Sequence, residues 1–160
     1  MIIGAALRNV KTYSGINYIP LTYGQSFCGL VGNNGIGKSS VLEALDSIFN
    51  GRQWNHNIIT KKSGFTTTRP HIVPIFLLKL SDICEENIDL AKKLSDYVWG
   101  LEESDILSQN RDQFKVFAEQ LAILKREYSK DDTLLLPLGY SHDNVPSLSI
   151  FNTRKLGEIL

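Results

Sequence analysis

The chain has 160 residues, of which 42 % are apolar and 21 % charged, and its 17 basic and 17 acidic side chains give a formal net charge of zero. These values are typical of a globular domain. They exclude a disordered tail, a collagen-like repeat and a uniformly basic nucleic-acid binder. No apolar stretch approaches the ~20 residues of a membrane span, and the N-terminus lacks the basic n-region of a signal peptide. We therefore predict a single cytoplasmic domain without a membrane segment, in which Cys28 and Cys84 are small buried thiols.

Charge is distributed unevenly along this neutral chain. Residues 1–81 hold eight basic and two acidic side chains, whereas residues 82–105 hold eight acidic and two basic ones. A basic first half suits a ligand that carries phosphate groups. For the acidic stretch we predict a solvated helix face.

The apolar pattern predicts three strands and one helix at the start of the chain. The strands are expected at 3–10, at 18–21, where Pro20 indicates a sheet edge, and at 26–31, where a continuous apolar run is typical of a strand buried on both faces. Apolar residues from Val41 to Phe49 share one helical face, and Asn50-Gly51 predicts a left-handed cap.

The rest of the chain predicts a loop followed by alternating strands and helices. Residues 52–70 are polar and indicate a long exposed loop. Beyond it the periodicity predicts a strand at 72–80, helices at about 85–99 and 105–128, strands at 134–138 and 148–151, and a last helix that starts at Thr153 and is cut off at Leu160.

One sequence motif predicts a binding site, and it lies at residues 32–39. Residues 32–39, Gly-Asn-Asn-Gly-Ile-Gly-Lys-Ser, match G-x-x-x-x-G-K-[ST], the phosphate-binding P-loop, between a predicted strand and a predicted helix. Glycines permit positive φ and a close approach of backbone N–H groups to phosphate oxygens, and the helix N-terminus adds its positive end. We predict a nucleotide site made of Gly32, Asn33, Asn34, Gly35, Ile36, Gly37, Lys38, Ser39 and Ser40.

Three side chains of this motif have separate predicted roles. Lys38 supplies a positive charge between the β- and γ-phosphates, and the Ser39 hydroxyl is the candidate ligand of Mg²⁺. Ser40 is placed to bond the α-phosphate.

The loop and its flanks resemble the ATPase heads of SMC and RecF-like proteins, within the ATP-binding cassette (ABC) class. The loop reads G-x-x-G-x-G-K-S-S, residues 7–13 look like the N-F-[KR]-[ST]-[FY] end of the first strand of those heads, and residues 42–45 match their L-E-A-L stretch. Residues 76–82, a predicted strand that runs into Ser81-Asp82, are similar to the OLD (overcoming-lysogenization-defect) family. The resemblance is specific over residues 1–50 and weak beyond residue 82.

This resemblance implies a fold and a set of ligands. The fold would be an α/β P-loop NTPase with an ABC-ATPase-like mixed sheet and a helical segment near 85–128. Residues 1–82 would be the nucleotide-binding lobe, 83–130 the helical segment, and 131–160 further strands and the start of a truncated helix. ATP and Mg²⁺ would bind at the P-loop. Two interpretations stay open for the end of the first strand: it lines the nucleotide pocket, or it is a solvated strand end. The residues concerned are Arg8, Asn9, Lys11 and Thr12.

The resemblance also implies a function. It indicates an ATPase that acts on DNA in repair or antiphage defence, dimerises with a second head around ATP, and works with a nuclease domain or subunit. No membrane partner is expected.

Hydrolysis in this class needs an apolar strand that ends in Asp-Glu, and the sequence offers none. The stretch 134–138 runs into Gly139-Tyr140, and 77–80 runs into Ser81-Asp82 without a second acid. The serine-glycine signature of a second head is absent too, so catalytic residues are unknown. Two interpretations stay open: the N-terminal part of a longer ATPase, or a non-hydrolysing module that uses nucleotide for assembly. A GTPase or kinase is disfavoured because the sequence lacks an Asn-Lys-x-Asp element and an arginine-rich lid.

Other candidate sites are weaker. Gln53 is a poor candidate for a water-activating glutamine, and the scattered histidines and cysteines lack the spacing of a zinc site. The stretch 52–57, with Lys61, Lys62 and Arg69, combines basic and aromatic residues as a DNA contact would. A solvated loop with Trp54 packed against the domain is the favoured alternative.

Overall fold

The computed structural model describes residues 1–55, 70–128, 132–141, 146–147 and 151. From residue 71 to Pro137 the helices and strands follow the predicted order, and short 3-10 turns precede both later helices; the short strands Gly139–Ser141 and Pro146–Ser147 were not predicted. In chain order the elements are β1 (Ile2–Arg8), β2 (Ile16–Pro20), α1 (Lys38–Asn50), β3 (His71–Lys79), α2 (Ile88–Trp99), α3 (Arg111–Tyr128), β4 (Thr133–Pro137), β5 (Gly139–Ser141) and β6 (Pro146–Ser147).

The strands form one sheet in the order β2-β1-β3-β5-β6, and β4 also pairs with β3. In the register of β1, Ala5 faces Ile19 of β2 on one side and Pro74 of β3 on the other. Strand β2 lies at the sheet edge, as Pro20 predicted. Every strand pair within the described residues is antiparallel, so the expected mixed sheet is not found among them.

Residues 26–31 do not form the predicted strand. They lie outside the sheet, where Phe27 is 83 % and Val31 is 95 % exposed. An apolar run shows only that a segment is suited to burial on both faces, and burial also requires neighbouring strands that pair with it. Among the described strands, β2 and β3 occupy the two sides of β1, and none pairs with residues 26–31.

The prediction that both cysteines are buried is therefore wrong. Cys28 belongs to the unpaired segment and is exposed. Cys84 is exposed as well, because it lies in the polar connection that leads into the 3-10 turn Glu85–Asn87.

The sheet carries an apolar core on each face. Helix α1 covers one face, where Val41 and Ala44 pack with Ala5, Leu7 and Ile72. Helix α3 covers the other face with a cluster of aromatic rings, in which the Tyr18 and Phe117 centroids are 5.1 Å apart and the Phe114 and Phe151 centroids 5.6 Å apart. Strand β1 is thus buried on both sides.

A buried polar side chain ties α3 to the start of the chain. Gln120 is fully buried, and its Nε2 donates hydrogen bonds to the carbonyl oxygens of Ile3 (2.8 Å) and Thr22 (2.6 Å). The Tyr18 hydroxyl donates to Gln120 Oε1. The helical segment and the first strands therefore share one hydrogen-bond network.

The acidic stretch is largely solvated, since seven of its eight acids are exposed, but only Asp89 and Asp96 of these lie on an α-helix, so the predicted solvated helix face is found only in part. Asp105 is the buried one, and its carboxylate accepts a hydrogen bond from the Glu102 N–H (3.1 Å). No described helix is long and apolar enough to cross a membrane. The predictions for the loop residues 56–69, for residues 148–150 of the last strand and for the helix from Thr153 lie outside the described residues.

Candidate nucleotide-binding site

The P-loop adopts the backbone that its glycines predict. Gly35 has φ 83° and Gly37 has φ 104°, both in the left-handed region. A Cβ on Gly37 would lie 2.8 Å from Thr12 Oγ1 and 2.9 Å from the Tyr13 hydroxyl oxygen, so only glycine fits there. Helix α1 begins at the next residue; its first turn contains no acid, and Gly37, its N-cap, provides no side-chain hydrogen bond. The positive end of α1 therefore faces the loop.

The loop encloses a cleft of about 210 Å³. This volume is below the roughly 300–1,000 Å³ of a pocket that holds a whole small molecule, and it suits the phosphate end of a nucleotide. Ile36 turns its side chain outward, where it is 62 % exposed. The residues that line the cleft are Thr12, Asn34, Gly35, Gly37, Lys38, Ser39 and Ser40.

The Lys38 side chain folds back onto the loop. Its Nζ donates hydrogen bonds to the carbonyl oxygens of Gly32 (2.5 Å) and Asn33 (2.7 Å). A phosphate would replace these neutral acceptors with charged ones, which form stronger bonds to an ammonium group. Both serines line the cleft, where Ser39 is exposed and Ser40 is buried. Lys38 and Ser39 are thus available to a phosphate group and to Mg²⁺, respectively.

Thr12 and Lys11 lie in the turn that follows β1. Thr12 lines the cleft beside the P-loop. The Lys11 ammonium instead forms an ion pair with the carboxylate of Glu43 on α1. This ion pair links the turn after β1 to α1.

Arg8 and Asn9 are engaged elsewhere at the end of β1. Arg8 Nε and Nη2 lie 3.1 Å and 2.6 Å from His71 Nδ1 on the adjacent strand. Burial, together with the Arg8 charge, lowers the pKa of His71 to about 3, so the ring is neutral at pH 7 and accepts from the guanidinium. Asn9 Oδ1 accepts from the Gly15 N–H (2.8 Å). Of the four residues taken from the resemblance, the structure brings Thr12 to the cleft; a pocket role for the other three remains a prediction.

The basic stretch after α1 is described only in part. Arg52 forms an ion pair with Asp46 (3.1 Å), and Gln53 is exposed. Trp54 is half-buried against the core beneath α1, as the solvated-loop alternative predicts. His56, Asn57, Lys61, Lys62 and Arg69 lie outside the described residues.

Two residues outside the predicted site contact residues that were predicted for it. The Tyr13 hydroxyl donates to the Gly37 carbonyl oxygen at 3.3 Å, and the Glu43 carboxylate pairs with the Lys11 ammonium. For Glu43 a signal existed: it and Asp46 are the two acids of residues 1–81, and each pairs with a base. For Tyr13 the signal was its position at the aromatic end of the N-F-[KR]-[ST]-[FY] stretch, but that stretch does not predict a hydrogen bond to a residue 24 positions away.

The loop, the helix that follows it and the α/β architecture define a P-loop nucleotide-binding domain. A family model described as "AAA domain, putative AbiEii toxin, Type IV TA system" matches residues 27–157. Because the match spans more than half of the chain, the protein belongs to this AAA domain family. This membership makes it an ATP-binding domain of AAA type. Comparisons with curated proteins and with solved structures give no match.

Proposed function

We propose that the chain is the ATP-binding part of an SMC/RecF/OLD-like ATPase head. The observation that carries the proposal is the cleft in which Thr12, from the end of the first strand, meets the P-loop and its lysine. Lys38 would hold the β- and γ-phosphates, N–H groups of the loop and first helical turn would bind phosphate oxygens, and Ser39 would bind Mg²⁺. When bound, the metal ion neutralises phosphate charge.

We extend the proposal to an action on DNA, in repair or antiphage defence, with a second ATPase head and a nuclease domain or subunit as partners. The resemblance of residues 1–82 to SMC, RecF and OLD ATPases supports this part, and so does the excess of basic side chains in residues 1–81. The proposed nucleotide site does not depend on this extension, since it is supported by the geometry of the P-loop cleft.

A second candidate function is nucleotide-dependent assembly without hydrolysis. It is favoured because no acid at the end of β3 or β4 is placed to activate a water molecule. Strand β3 leads into Asp82, whose carboxylate accepts from the Lys79 N–H (3.0 Å) and caps a 3-10 turn. Strand β4 ends at Pro137 and leads into β5 without an acid between them. An acid that activates water is therefore not identified within the described strands.

Isothermal titration of the 160-residue chain with Mg-ATP tests the proposal. Lys38→Ala should weaken binding at least tenfold, because it removes a charge-assisted contact to phosphate. Lys115→Ala is the matched control, since this lysine lies on α3 with a side chain that is 60 % exposed. Equal affinity of the wild type and Lys38→Ala would refute the nucleotide site.

Phosphate release is measured on the same samples and on the full-length natural protein. Turnover by either that Lys38→Ala abolishes supports the ATPase and rules out the non-hydrolysing module. Nucleotide-dependent self-association in analytical ultracentrifugation, with no turnover by either, supports the assembly module.

A further inference from the structure

We propose that Tyr13 is a positioning residue of the phosphate-binding loop, whose hydroxyl sets the direction of the Lys38 backbone N–H through the Gly37 carbonyl. The inference rests on the proposed nucleotide site and adds a residue that contacts no phosphate itself. It starts from the position of Tyr13, which joins the core under α1 to the last residue of the loop.

The Tyr13 ring is fixed in that core. It is half-buried and packs against the cluster that contains Val10, Val41 and Ala44. A tyrosine hydroxyl is protonated at neutral pH, and burial raises the pKa of Tyr13 further above its ordinary value, so the hydroxyl is a donor to the Gly37 carbonyl oxygen. The hydroxyl is therefore a donor with a set position beside Gly37.

The turn that carries Tyr13 is itself held in place. The Tyr13 N–H donates to the Val10 carbonyl oxygen (2.8 Å), and the Lys11 N–H donates to the Asn55 carbonyl oxygen (3.1 Å). Lys11 has φ 49°, a left-handed conformation that is unfavourable for a lysine, whereas the φ of 55° at Asn9 is one that asparagine tolerates. The Lys11–Glu43 ion pair adds a contact to α1. These contacts hold the turn with Lys11 in its left-handed conformation.

The link to the site is the peptide bond between Gly37 and Lys38. Its carbonyl oxygen accepts from the Tyr13 hydroxyl (3.3 Å) and from the Val41 N–H (3.2 Å). Because the peptide unit is planar, a fixed carbonyl fixes the N–H of Lys38, which points the opposite way. Gly37 has no side chain to hold this plane, so the two donors restrict its rotation. An N–H held in one direction binds phosphate without first being ordered.

The chain offers a matched control for this contact. The Tyr128 hydroxyl donates to the carbonyl oxygen of Gly24 at 3.4 Å, and Gly24 is also left-handed, with φ 105°. Neither Tyr128 nor Gly24 lines the cleft. Tyr13→Phe and Tyr128→Phe thus remove the same kind of bond, once beside the loop and once away from it, and both keep the ring.

The experiment titrates Mg-ATP into the full 160-residue chain and its two variants. Tyr13→Phe should weaken binding about threefold to tenfold, the effect of one hydrogen bond, while Tyr128→Phe binds like the wild type. A second readout needs no nucleotide: in ¹⁵N-¹H NMR spectra, Tyr13→Phe should shift and broaden the Lys38 amide resonance, and Tyr128→Phe should leave it unchanged. Thermal unfolding of each variant checks that the fold is intact.

The possible results distinguish the positioning role of Tyr13 from the proposed nucleotide site. If the wild type binds Mg-ATP and Lys38→Ala does not, but Tyr13→Phe binds normally with an unshifted Lys38 amide, the positioning role is refuted and the proposed function stands. If both tyrosine variants weaken binding equally, the effect is general and the positioning role is refuted as well. If the wild type and Lys38→Ala fail alike to bind, the proposed function falls, and the inference with it.

Discussion

Replacement of Gln120 by leucine should destabilise the protein through its buried hydrogen bonds. Leucine is apolar and slightly larger than glutamine, so the change removes polar atoms without opening a cavity. It takes one acceptor from the Tyr18 hydroxyl and one donor from each of the Ile3 and Thr22 carbonyls. The Ile3 carbonyl keeps the N–H groups of Leu21 (2.9 Å) and Thr22 (3.1 Å), so the Tyr18 hydroxyl and the Thr22 carbonyl are the groups that lose most.

The magnitude follows from these two groups. A buried donor or acceptor that loses its partner costs about 1–3 kcal/mol. We therefore expect Gln120→Leu to lower the free energy of unfolding by about 2–5 kcal/mol, a large part of the roughly 5–15 kcal/mol typical of a domain. Adding Tyr18→Phe removes the orphaned hydroxyl from a side chain that is only 4 % exposed. The double variant should recover about 1–2 kcal/mol of the loss.

Urea unfolding followed by circular dichroism measures both values in one double-mutant cycle of Tyr18→Phe, Gln120→Leu and their combination. Tyr18→Phe alone reports the cost of leaving Gln120 Oε1 without this donor. A loss below about 1 kcal/mol for Gln120→Leu would contradict the network, because two buried polar groups without hydrogen-bond partners should cost more free energy than that. A double variant no more stable than Gln120→Leu would refute the role assigned to the Tyr18 hydroxyl.

Two further predictions concern His71 and the misassigned strand. The folded-state pKa of His71 is about 3, below the ~6.5 of an unfolded histidine, so the unfolded chain binds more protons and stability should fall by about 2 kcal/mol from pH 7.5 to pH 5. His71→Asn keeps an acceptor for Arg8 and should remove that dependence in urea unfolding; an unchanged slope would contradict the neutral, buried ring. Val31→Ser should change the free energy of unfolding by less than about 0.5 kcal/mol, since Val31 is 95 % exposed, while Val41→Ala, at 1 % exposure, should cost about 2 kcal/mol. Equal losses in the two valine variants would mean that residues 26–31 are buried after all.

The elements that sequence predicted well are those set by local chemistry. The apolar face of α1 and its glycine ending are properties of neighbouring residues, and Gly51 indeed caps the helix with φ 64°. The positive φ of Gly35 and Gly37 follows from the P-loop motif in the same way. Helices α2 and α3 and strand β3 agree with their predicted positions to within a few residues because their periodicity extends over many turns or pairs.

The failures involve partners distant in the chain. The apolar run at 26–31 predicts a buried strand, but pairing depends on strands that the run itself does not specify. Gln120 and His71 look like ordinary polar residues, and only the tertiary fold brings them to Tyr18 and Arg8, across 102 and 63 residues. In the candidate site, the P-loop motif identified the cleft, while the positions of Lys11 and Tyr13 depend on a turn whose left-handed lysine no propensity predicts.

The exposed segment 26–31 has a consequence for solubility. No charged side chain stands between Lys11 and Lys38, and the formal net charge of the chain is zero at pH 7, so electrostatic repulsion between copies is weak. The exposed side chains of Phe27 and Val31 are then apolar contacts through which copies of the chain would associate. A nucleotide in the adjacent loop adds negative charge beside this segment. Solubility should therefore be lowest near neutral pH in the nucleotide-free protein, and Mg-ATP should raise it.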